Sequence, residues 1–305
     1  MSEILNGRGA RFPTETRDRV RAAAAQLRYY PSPAGRSLVT GRSSTVLLLV
    51  PSVPVGLGVQ ESIDELSDHI ARRGLHLVVQ FARNHPTVIL DDIARSSPVA
   101  VVDLGVLPSE TREAVRASGV VVVPEALVIR SEEFQHLIGR AMIQRLVKRR
   151  TVRRFLYAAS TDVRSYLYDT DRYAGLREAA AEFGLEDPVR VDIPLDLAGA
   201  VRALRSHLID HEPLGVACCT DVVALAVMAV CRELRRGVPD DVAVIGVDAT
   251  AEGQLVSPRL TSIRTDQHAI GEGLAAELLA AIDGVHFSVP VRDAVPVSVV
   301  EGETV

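Results

Sequence analysis

The chain has 305 residues and a formal net charge of −5 at pH 7, with 47% hydrophobic and 24% charged residues. This balance provides for a large apolar core and excludes an intrinsically disordered protein. The three cysteines are too few for the disulfide framework of a small secreted protein. Aromatic residues make up only 4% of the chain, with no Trp, which argues against a nucleic-acid binder that stacks bases on aromatic rings.

The first 45 residues form a basic head on an otherwise acidic chain. They contain eight arginines against three acidic residues, whereas the rest of the chain carries a net charge of −10. Thr14 is expected to cap a helix that runs to about Leu27, with Val20, Ala24 and Leu27 on its inward face. Pro33 is well placed to start a second, short helix. The charge asymmetry indicates that the head meets an anion, and nucleic acid is the first candidate.

From residue 45 onward, apolar runs rich in β-branched residues alternate with helical patterns. The predicted strands are 46–50, 75–79, 99–104, 120–123, 155–159, 189–193, 215–219 and 242–247, and the predicted helices are 60–73, 110–118, 132–149, 171–183, 198–210 and 221–236. Nearly continuous apolar strands are typical of parallel sheets covered by helices on both faces. We therefore predict an α/β protein with two doubly wound, parallel-sheet lobes behind the small helical head.

Two patterns resemble enzyme or metal motifs, but neither is convincing. Residues 271–276 fit the dinucleotide pattern GxGxxA, yet they lie late in the chain within a predicted helix, so packing of small residues explains them better. His207 and His211 are spaced like two metal ligands but have charged neighbours and no third ligand, so an exposed helix face explains them better. We expect no catalytic residue, no cofactor and no metal site, and therefore no enzyme.

The head resembles the DNA-binding module of the LacI-type bacterial transcription regulators. The stretches that carry this resemblance are 5–7, 15–20 and 30–43. The resemblance implies a helix-turn-helix followed by a hinge helix that folds on operator DNA, with a leucine inserted into the minor groove as an apolar wedge. The DNA-binding residues it implies are Asn6, Thr16, Arg36 and Leu38.

The head also departs from the family pattern. The match begins at the end of the family's recognition helix, so the first helix, the turn and the main base-reading residues are missing. Gly35 replaces the usual Ala of the hinge helix, which costs about 1 kcal/mol of helix propensity. Two explanations stay open: a start codon assigned too far downstream, which the retained hinge pattern favours, or a regulator that has lost specific operator recognition.

The body of the chain resembles the same family in three further stretches. Residues 171–176 resemble its effector-binding segment, 219–225 its Asn-Asp-x-x-Ala segment, and 238–248 its Pro-x-Asp stretch that ends in Gly-(Phe/Tyr)-Asp. The resemblance covers nearly the whole chain. It implies a core like that of a periplasmic sugar-binding protein, which forms a homodimer and binds a small effector between its two lobes.

Four residues are candidates for effector binding. Arg172 offers a planar set of donors to hydroxyls or a carboxylate, and Asp248, at a strand end, accepts hydrogen bonds from polyols. Thr220 stands where the family often has Asn, and Glu125 is a further acid that equally fits a surface loop. A surface ion pair or a helix cap stays the alternative for Arg172 and Asp248.

Two neighbouring positions bear on the identity of the effector. Asp221 is expected to orient its loop or to cap the following helix. Leu197 falls near the place where sugar-binding relatives present an aromatic ring, so stacking on a sugar is lost there. A sugar-like effector is the family default, and these substitutions leave its identity open.

The sequence therefore predicts a ligand-responsive, DNA-binding repressor of the LacI type. The predicted domains are a head and hinge helix over 1–43, one lobe over 44–127 with about 265–290, and a second lobe over 128–264 with about 291–305. The chain lacks an apolar secretory segment at its N-terminus and any run long enough to span a membrane, so we expect a cytoplasmic homodimer. The alternative is an effector sensor or solute-binding protein without operator recognition.

Overall fold

Two structural units share the chain. The computed structural model describes residues 4, 9–27, 43–51, 57–82, 86–125, 131–149, 151–162, 166–209, 212–287 and 297–305. Unit 1 consists of Met1–Ser52, Ser67–Pro124 and Leu278–Val285, and unit 2 consists of Val53–Leu66, Glu125–Glu277 and His286–Val305. Both units are thus assembled from segments that are far apart in the chain. The domain limits given above stay a prediction.

Strands and helices alternate along the described residues. The strands are β1 (Thr45–Pro51), β2 (His76–Ala82), β3 (Ala100–Asp103), β4 (Val121–Val123), β5 (Arg154–Ser160), β6 (Val189–Ile193), β7 (Leu214–Cys218), β8 (Val242–Val247), β9 (Thr261–Thr265) and β10 (Val297–Val300). The helices are α1 (Thr14–Gln26), α2 (Leu57–Ala71), α3 (Pro86–Ser96), α4 (Ser109–Ala117), α5 (Glu132–Leu146), α6 (Tyr166–Glu182), α7 (Leu197–Leu208), α8 (Asp221–Glu233), α9 (Ala251–Leu255) and α10 (Gln267–Ile282). The eight predicted strands coincide with β1 to β8.

The sheet of unit 1 is parallel, with the strand order β2-β1-β3-β4. Residues Val46 to Val50 of β1 are at most 3% exposed, and all four residues of β3 are buried. An unbroken apolar sequence predicts such burial, because both faces of a central strand are covered. The edge strand β2 differs, since its side chains Val78, Val79 and Phe81 are exposed.

The sheet of unit 2 has the order β10-β9-β8-β7-β5-β6. Strands β5 to β9 are parallel, and β10 pairs with β9 in the antiparallel direction, with Val297 opposite Thr265. The central strands β7 and β8 are buried along their whole length. The sequence analysis predicted neither β9 nor β10 and therefore missed the antiparallel edge.

Helix α1 confirms the predicted helix of the head, but its start is different. Pro13 is at the N-cap position, and Thr14 lies inside the first turn, where its Oγ1 accepts a hydrogen bond from Nη2 of Arg17 at 2.9 Å. The prediction that Thr14 caps the helix is therefore wrong, because Thr14 is itself helical.

The inward face of α1 is also shorter than predicted. Ala24 is 8% exposed, whereas Leu27 is 77% exposed and follows the last helical residue, so Leu27 does not belong to that face. The second helix predicted from Pro33 lies outside the described residues. None of the helices in the described parts of the chain combines the length and the apolar character needed to cross a lipid bilayer.

Candidate functional site

Polar side chains of unit 2 lie where its central strands end. Strands β5, β7 and β8 are adjacent and parallel, so their carboxyl ends share one edge of the sheet. Thr220 comes two residues after β7, Asp248 directly follows β8, and Arg172 lies on α6, the helix after β5. Open α/β sheets bind ligands at this edge. We therefore take this edge of unit 2 as the candidate site.

Arg172 is fixed in place by two acceptors. Its side chain is nearly buried, its Nε donates to Oε1 of Gln135 at 2.9 Å, and its Nη1 donates to the backbone carbonyl of Cys219. Two of the five N–H groups of the guanidinium are used in this way. The contact with Cys219 ties α6 to the end of β7, directly before Thr220.

Two glycines allow α5 and α6 to approach closely enough for the Gln135–Arg172 contact. A Cβ atom at Gly139 would lie 2.2 Å from the carbonyl oxygen of Arg172, and one at Gly175 would lie 2.3 Å from Cα of His136. Both distances are far below van der Waals contact, so only glycine fits at this crossing. The glycine of the segment that resembles the family's effector-binding segment thus has a packing role.

Thr220 and Asp221, at the N-terminus of α8, make two different kinds of contact. The Thr220 hydroxyl is the N-cap and accepts a hydrogen bond from the backbone N–H of Val223 at 3.4 Å. Asp221 is fully buried, and its Oδ2 accepts from the backbone N–H of Thr250 at 2.7 Å. Asp221 was predicted to orient its own loop or to cap α8. It bonds instead to the loop after β8, and the cap is Thr220, because Asp221 already lies in the first helical turn.

The loop after β8 adopts an unusual backbone conformation. Asp248 and Ala249 have φ angles of 107° and 50°. Each non-glycine residue in such a region costs about 1–3 kcal/mol unless the surrounding structure holds it. Here Asp248 donates its backbone N–H to the carbonyl of Ile263 at 2.9 Å, and Ala249 donates its own to Oγ of Ser262 at 3.0 Å.

A hydrogen bond between two buried side chains links the anchors of this loop. The Ser262 hydroxyl donates to Oδ1 of Asp221 at 2.6 Å. Strand β8 must leave room for that carboxylate, and a Cβ atom at Gly246 would lie 2.1 Å from the same oxygen. Gly246 pairs with Ser262 across β8 and β9, so both residues act at the same level of the sheet.

The electrostatic environment raises the pKa of two carboxyl groups of the site. The Asp248 carboxyl is reachable by solvent, but the protein around it limits its hydration and raises its pKa to about 7. The charge of Asp221 acts in the same direction, and the Arg172 guanidinium opposes both effects. Burial also raises the pKa of Asp221, which the hydrogen bonds from Ser262 and Thr250 counteract. Asp248 therefore changes its charge near neutral pH.

A hydrogen bond between two further buried side chains holds the N-terminal part of α6 against β5. The Tyr157 hydroxyl donates to Oδ1 of Asp169 at 3.0 Å, and the Tyr157 and Tyr173 rings lie 5.2 Å apart. Burial raises the pKa of both the Tyr157 phenol and the Asp169 carboxyl. Because Asp169 precedes Arg172 by one helical turn, this contact joins the Arg172 turn to the centre of β5.

The remaining predicted site residues lie on other elements or outside the described residues. Glu125 is exposed and follows β4 of the first sheet, where its backbone N–H donates to Oε1 of Glu277 at 2.7 Å. Leu197 is 51% exposed at the first position of α7. Thr16 is half-buried on α1, and the other DNA-binding candidates, Asn6, Arg36 and Leu38, lie outside the described residues.

The glycine motif that was set aside has a structural explanation in part, and the pair His207 and His211 includes a residue, His211, outside the described residues. Gly271 and Gly273 lie on α10 as predicted, and a Cβ atom at Gly271 would lie 2.6 Å from the carbonyl oxygen of Ser62. The packing explanation is thus confirmed for Gly271, whereas Gly273 has open space around it. The three cysteines, Cys218, Cys219 and Cys231, are buried free thiols.

Three residues of the site were missed by sequence reasoning. Asp169 lies three positions before Arg172, so the spacing on one helix face was an available signal. Gln135 and Ser262 gave no signal, because their partners are 37 and 41 residues away in the chain. Contacts of this kind follow only from the arrangement of the strands and helices.

Comparison with known proteins identifies similar sequences and folds. A family model described as a periplasmic binding protein-like domain matches residues 143–305. The chain is 30% identical to the HTH-type transcriptional regulator GntR of Pseudomonas aeruginosa, over 88% of this chain and 81% of that protein. It is also 30% identical to the HTH-type transcriptional regulator CelR of Thermobifida fusca, over 96% of this chain and 90% of that protein.

Solved structures with the same fold cover almost the whole chain. The lac repressor dimer bound to operator and the anti-inducer ONPF gives a TM-score of 0.78 at 18% identity, over 99% of this chain and 93% of that one. The CelR–cellobiose complex gives a TM-score of 0.68 at 23% identity, over 99% and 94%. These likenesses confirm the predicted periplasmic-binding-protein-like α/β fold.

Proposed function

Because this chain belongs to the LacI-type family of bacterial transcription regulators, we propose that it is a DNA-binding repressor whose operator affinity is controlled by a small, sugar-like effector. The observation that carries the effector site is the shared edge of unit 2, where an immobilised Arg172 lies within electrostatic reach of Asp248. Some relatives are transcriptional repressors, such as PurR, which supports repression over activation.

The chemistry of this edge fits a ligand with hydroxyl groups. A hydroxyl accepts a hydrogen bond from a guanidinium and donates one to a carboxylate, so Arg172 and Asp248 together recognise adjacent hydroxyls of one molecule. Thr220 adds little, because its hydroxyl caps α8. Solved relatives bind cellobiose, in the CelR complex, and ONPG, in the lac repressor, which supports a sugar-like effector here. No catalytic turnover is expected from this set of side chains.

Operator DNA is the proposed partner of the head. The net positive charge of residues 1–45 suits a phosphate backbone, and the family resemblance assigns DNA contacts to Asn6, Thr16, Arg36 and Leu38. This partner also locates the protein in the bacterial cytoplasm. The effector controls the head by binding one conformation of the core more tightly than the other, and this difference in affinity limits the size of the response.

A homodimer is the proposed assembly. Unit 1 exposes apolar side chains on the consecutive elements β2 and α3, which we call the β2–α3 surface: Val78, Val79, Phe81, Val88 and Leu90. Clusters of exposed apolar side chains are more frequent at protein–protein interfaces than on surfaces that contact only solvent. A second copy of the chain is the occupant we propose, in line with the dimeric state of the solved lac repressor.

The proposal is tested by operator release. The full chain is used to select binding fragments from the DNA of its host, and the affinity for a selected fragment is then measured with and without cellobiose, lactose and glucose at millimolar concentration. At least one sugar is expected to change the operator affinity about tenfold or more, the usual range of allosteric coupling. Asp248→Asn is expected to bind the fragment as the parent does and to lose the response.

Two outcomes would contradict the proposal. If no fragment is selected over bulk DNA, the chain is an effector sensor without operator recognition, the alternative derived from its sequence. If a fragment is selected but Asp248→Asn responds to the sugar as the parent does, the effector site lies elsewhere.

A further inference from the structure

Within the proposed effector site, the conformation of Asp248 depends on a residue outside its own loop. The positive φ angles of Asp248 and Ala249 turn the backbone sharply directly after β8. This turn fixes the direction of the Cα–Cβ bond of Asp248, and the short side chain leaves the carboxyl group only a few staggered positions around that bond. Whatever holds the turn therefore limits where the carboxyl group can lie.

Three consecutive backbone N–H groups hold the turn, and two of them depend on side chains. The N–H of Asp248 donates to a backbone carbonyl, that of Ala249 donates to Ser262 Oγ, and that of Thr250 donates to Asp221 Oδ2. The Ser262 hydroxyl is the link between the two side-chain anchors, because it accepts from Ala249 while it donates to Asp221 at 2.6 Å. Ser262 and Asp221 are both fully buried, so water cannot replace these bonds.

We propose that Ser262 is the positioning residue for Asp248: its hydroxyl, oriented by the Asp221 carboxylate, fixes the turn that presents Asp248 to the effector. Ser262 touches no effector in this arrangement and acts only through the backbone of Ala249. The inference rests on the proposed effector site, although the anchoring of the turn can be measured without any effector.

Thr304 provides a matched control for Ser262. Its hydroxyl is equally buried, accepts one backbone N–H, from Thr261 at 2.9 Å, and donates to the carbonyl of Val244 at 2.6 Å. Thr304→Val and Ser262→Ala each remove one buried hydroxyl that accepts one backbone N–H and donates one short hydrogen bond. They differ in that only Ser262 contacts the turn after β8.

The experiment is amide hydrogen exchange on the full chain, resolved to single residues. In Ser262→Ala the amide of Ala249 is expected to exchange about tenfold faster than in the parent, the protection that one hydrogen bond provides. Thr304→Val is expected to leave that amide unchanged and to affect Thr261 instead. If Ser262→Ala does not fold, Ser262→Cys is used, since a thiol fills the space and accepts hydrogen bonds weakly.

A second measurement follows Asp248 itself, by carboxyl carbon shifts assigned through their loss in Asp248→Asn. Loosening of the turn increases the hydration of the Asp248 carboxyl, so its titration midpoint is expected to fall from about 7 in the parent. The charged groups that act on Asp248 are Arg172 and Asp221, and Glu252 acts on Asp221. The proposal is overturned if Ala249 keeps its protection, if Thr304→Val loosens it equally, or if the midpoint stays unchanged. Failure of operator release would refute the proposed function and leave these results valid.

Discussion

Asp248, a proposed effector-binding residue, has an environment that lowers the stability of the folded protein. Its backbone has a φ of 107°, its carboxyl is poorly hydrated, and the buried Asp221 carboxylate lies close enough to disfavour its charge. Each of these features opposes the folded state when Asp248 is ionised. Residues with such environments are concentrated at functional sites, where binding requires the unfavourable arrangement.

Asp248→Asn is expected to stabilise the protein more at pH 8 than at pH 5. The pKa of Asp248 is raised to about 7 in the folded state, so its unfavourable contribution is absent below the unfolded pKa of about 4, develops as pH rises and is complete above about 7. Asn carries no charge at either pH and removes this contribution. Thermal unfolding of parent and variant at the two pH values measures the difference.

Glu233→Gln on α8 is the control for this prediction. Its side chain is exposed, and the substitution also removes one negative charge. The stability of this control relative to the parent is expected to be the same at pH 5 and pH 8. A stabilisation of Asp248→Asn that is equal at both pH values would contradict the assigned titration.

At the level of elements, the apolar pattern predicts what the core requires and little else. Strands β1, β3, β7 and β8 are unbroken apolar runs, and the structure buries them completely or nearly so. Strand β9 has the sequence TSIRT, and its polar Thr261 and Ser262 are nonetheless fully buried. The Thr261 hydroxyl accepts a hydrogen bond from the backbone N–H of Gly302, and the Ser262 hydroxyl donates one to Asp221, so neither faces solvent. No local pattern reveals partners so distant.

The candidate site likewise contains residues that the sequence predicted and residues that it did not predict. Arg172, Thr220 and Asp248 were predicted because each lies in a segment with a family resemblance. Gln135 and Ser262 were not predicted, because their roles arise from the α5–α6 crossing and from the β8–β9 pairing. The sequence thus indicates which groups are candidates for a ligand, and the packing of elements determines which groups hold them in place.

Alanine substitutions of two glycines on α10 are expected to change the stability of the protein in opposite directions. Gly271→Ala places a methyl group 2.6 Å from the carbonyl oxygen of Ser62 on α2 and is expected to destabilise unit 2 by about 1–3 kcal/mol. Gly273→Ala meets no atom within 4 Å and is expected to stabilise by about 0.5–1 kcal/mol, because alanine loses less backbone entropy in a helix. Urea unfolding midpoints of the two variants test the pair, and shifts in the same direction would contradict it.

At the scale of the whole molecule, the proposed dimer is expected to form through the β2–α3 surface. Phe81 is 59% exposed there, on the edge strand of unit 1. Phe81→Asp is expected to convert the dimer into monomers, because a buried carboxylate without a partner costs several kcal/mol. Sedimentation velocity on the full chain at micromolar concentration measures the mass.

Phe183 provides the comparison for Phe81. It is 48% exposed in unit 2, after the end of α6 and outside the β2–α3 surface. Phe183→Asp is expected to remain dimeric. A dimeric Phe81→Asp, or a monomeric Phe183→Asp, would place the interface elsewhere.

The antiparallel strand β10 constrains the time at which unit 2 acquires its native sheet during synthesis. Strand β9 pairs with β10, and Thr304 bonds to both Val244 and Thr261, so β8 and β9 lack these partners until residues 297–305 have been made. At ordinary elongation rates, the 40 residues after Thr265, up to Val305, take roughly 2–8 seconds to translate. During that interval the edge of β9 that later pairs with β10 has unpaired backbone N–H and C=O groups, which can pair with other strands.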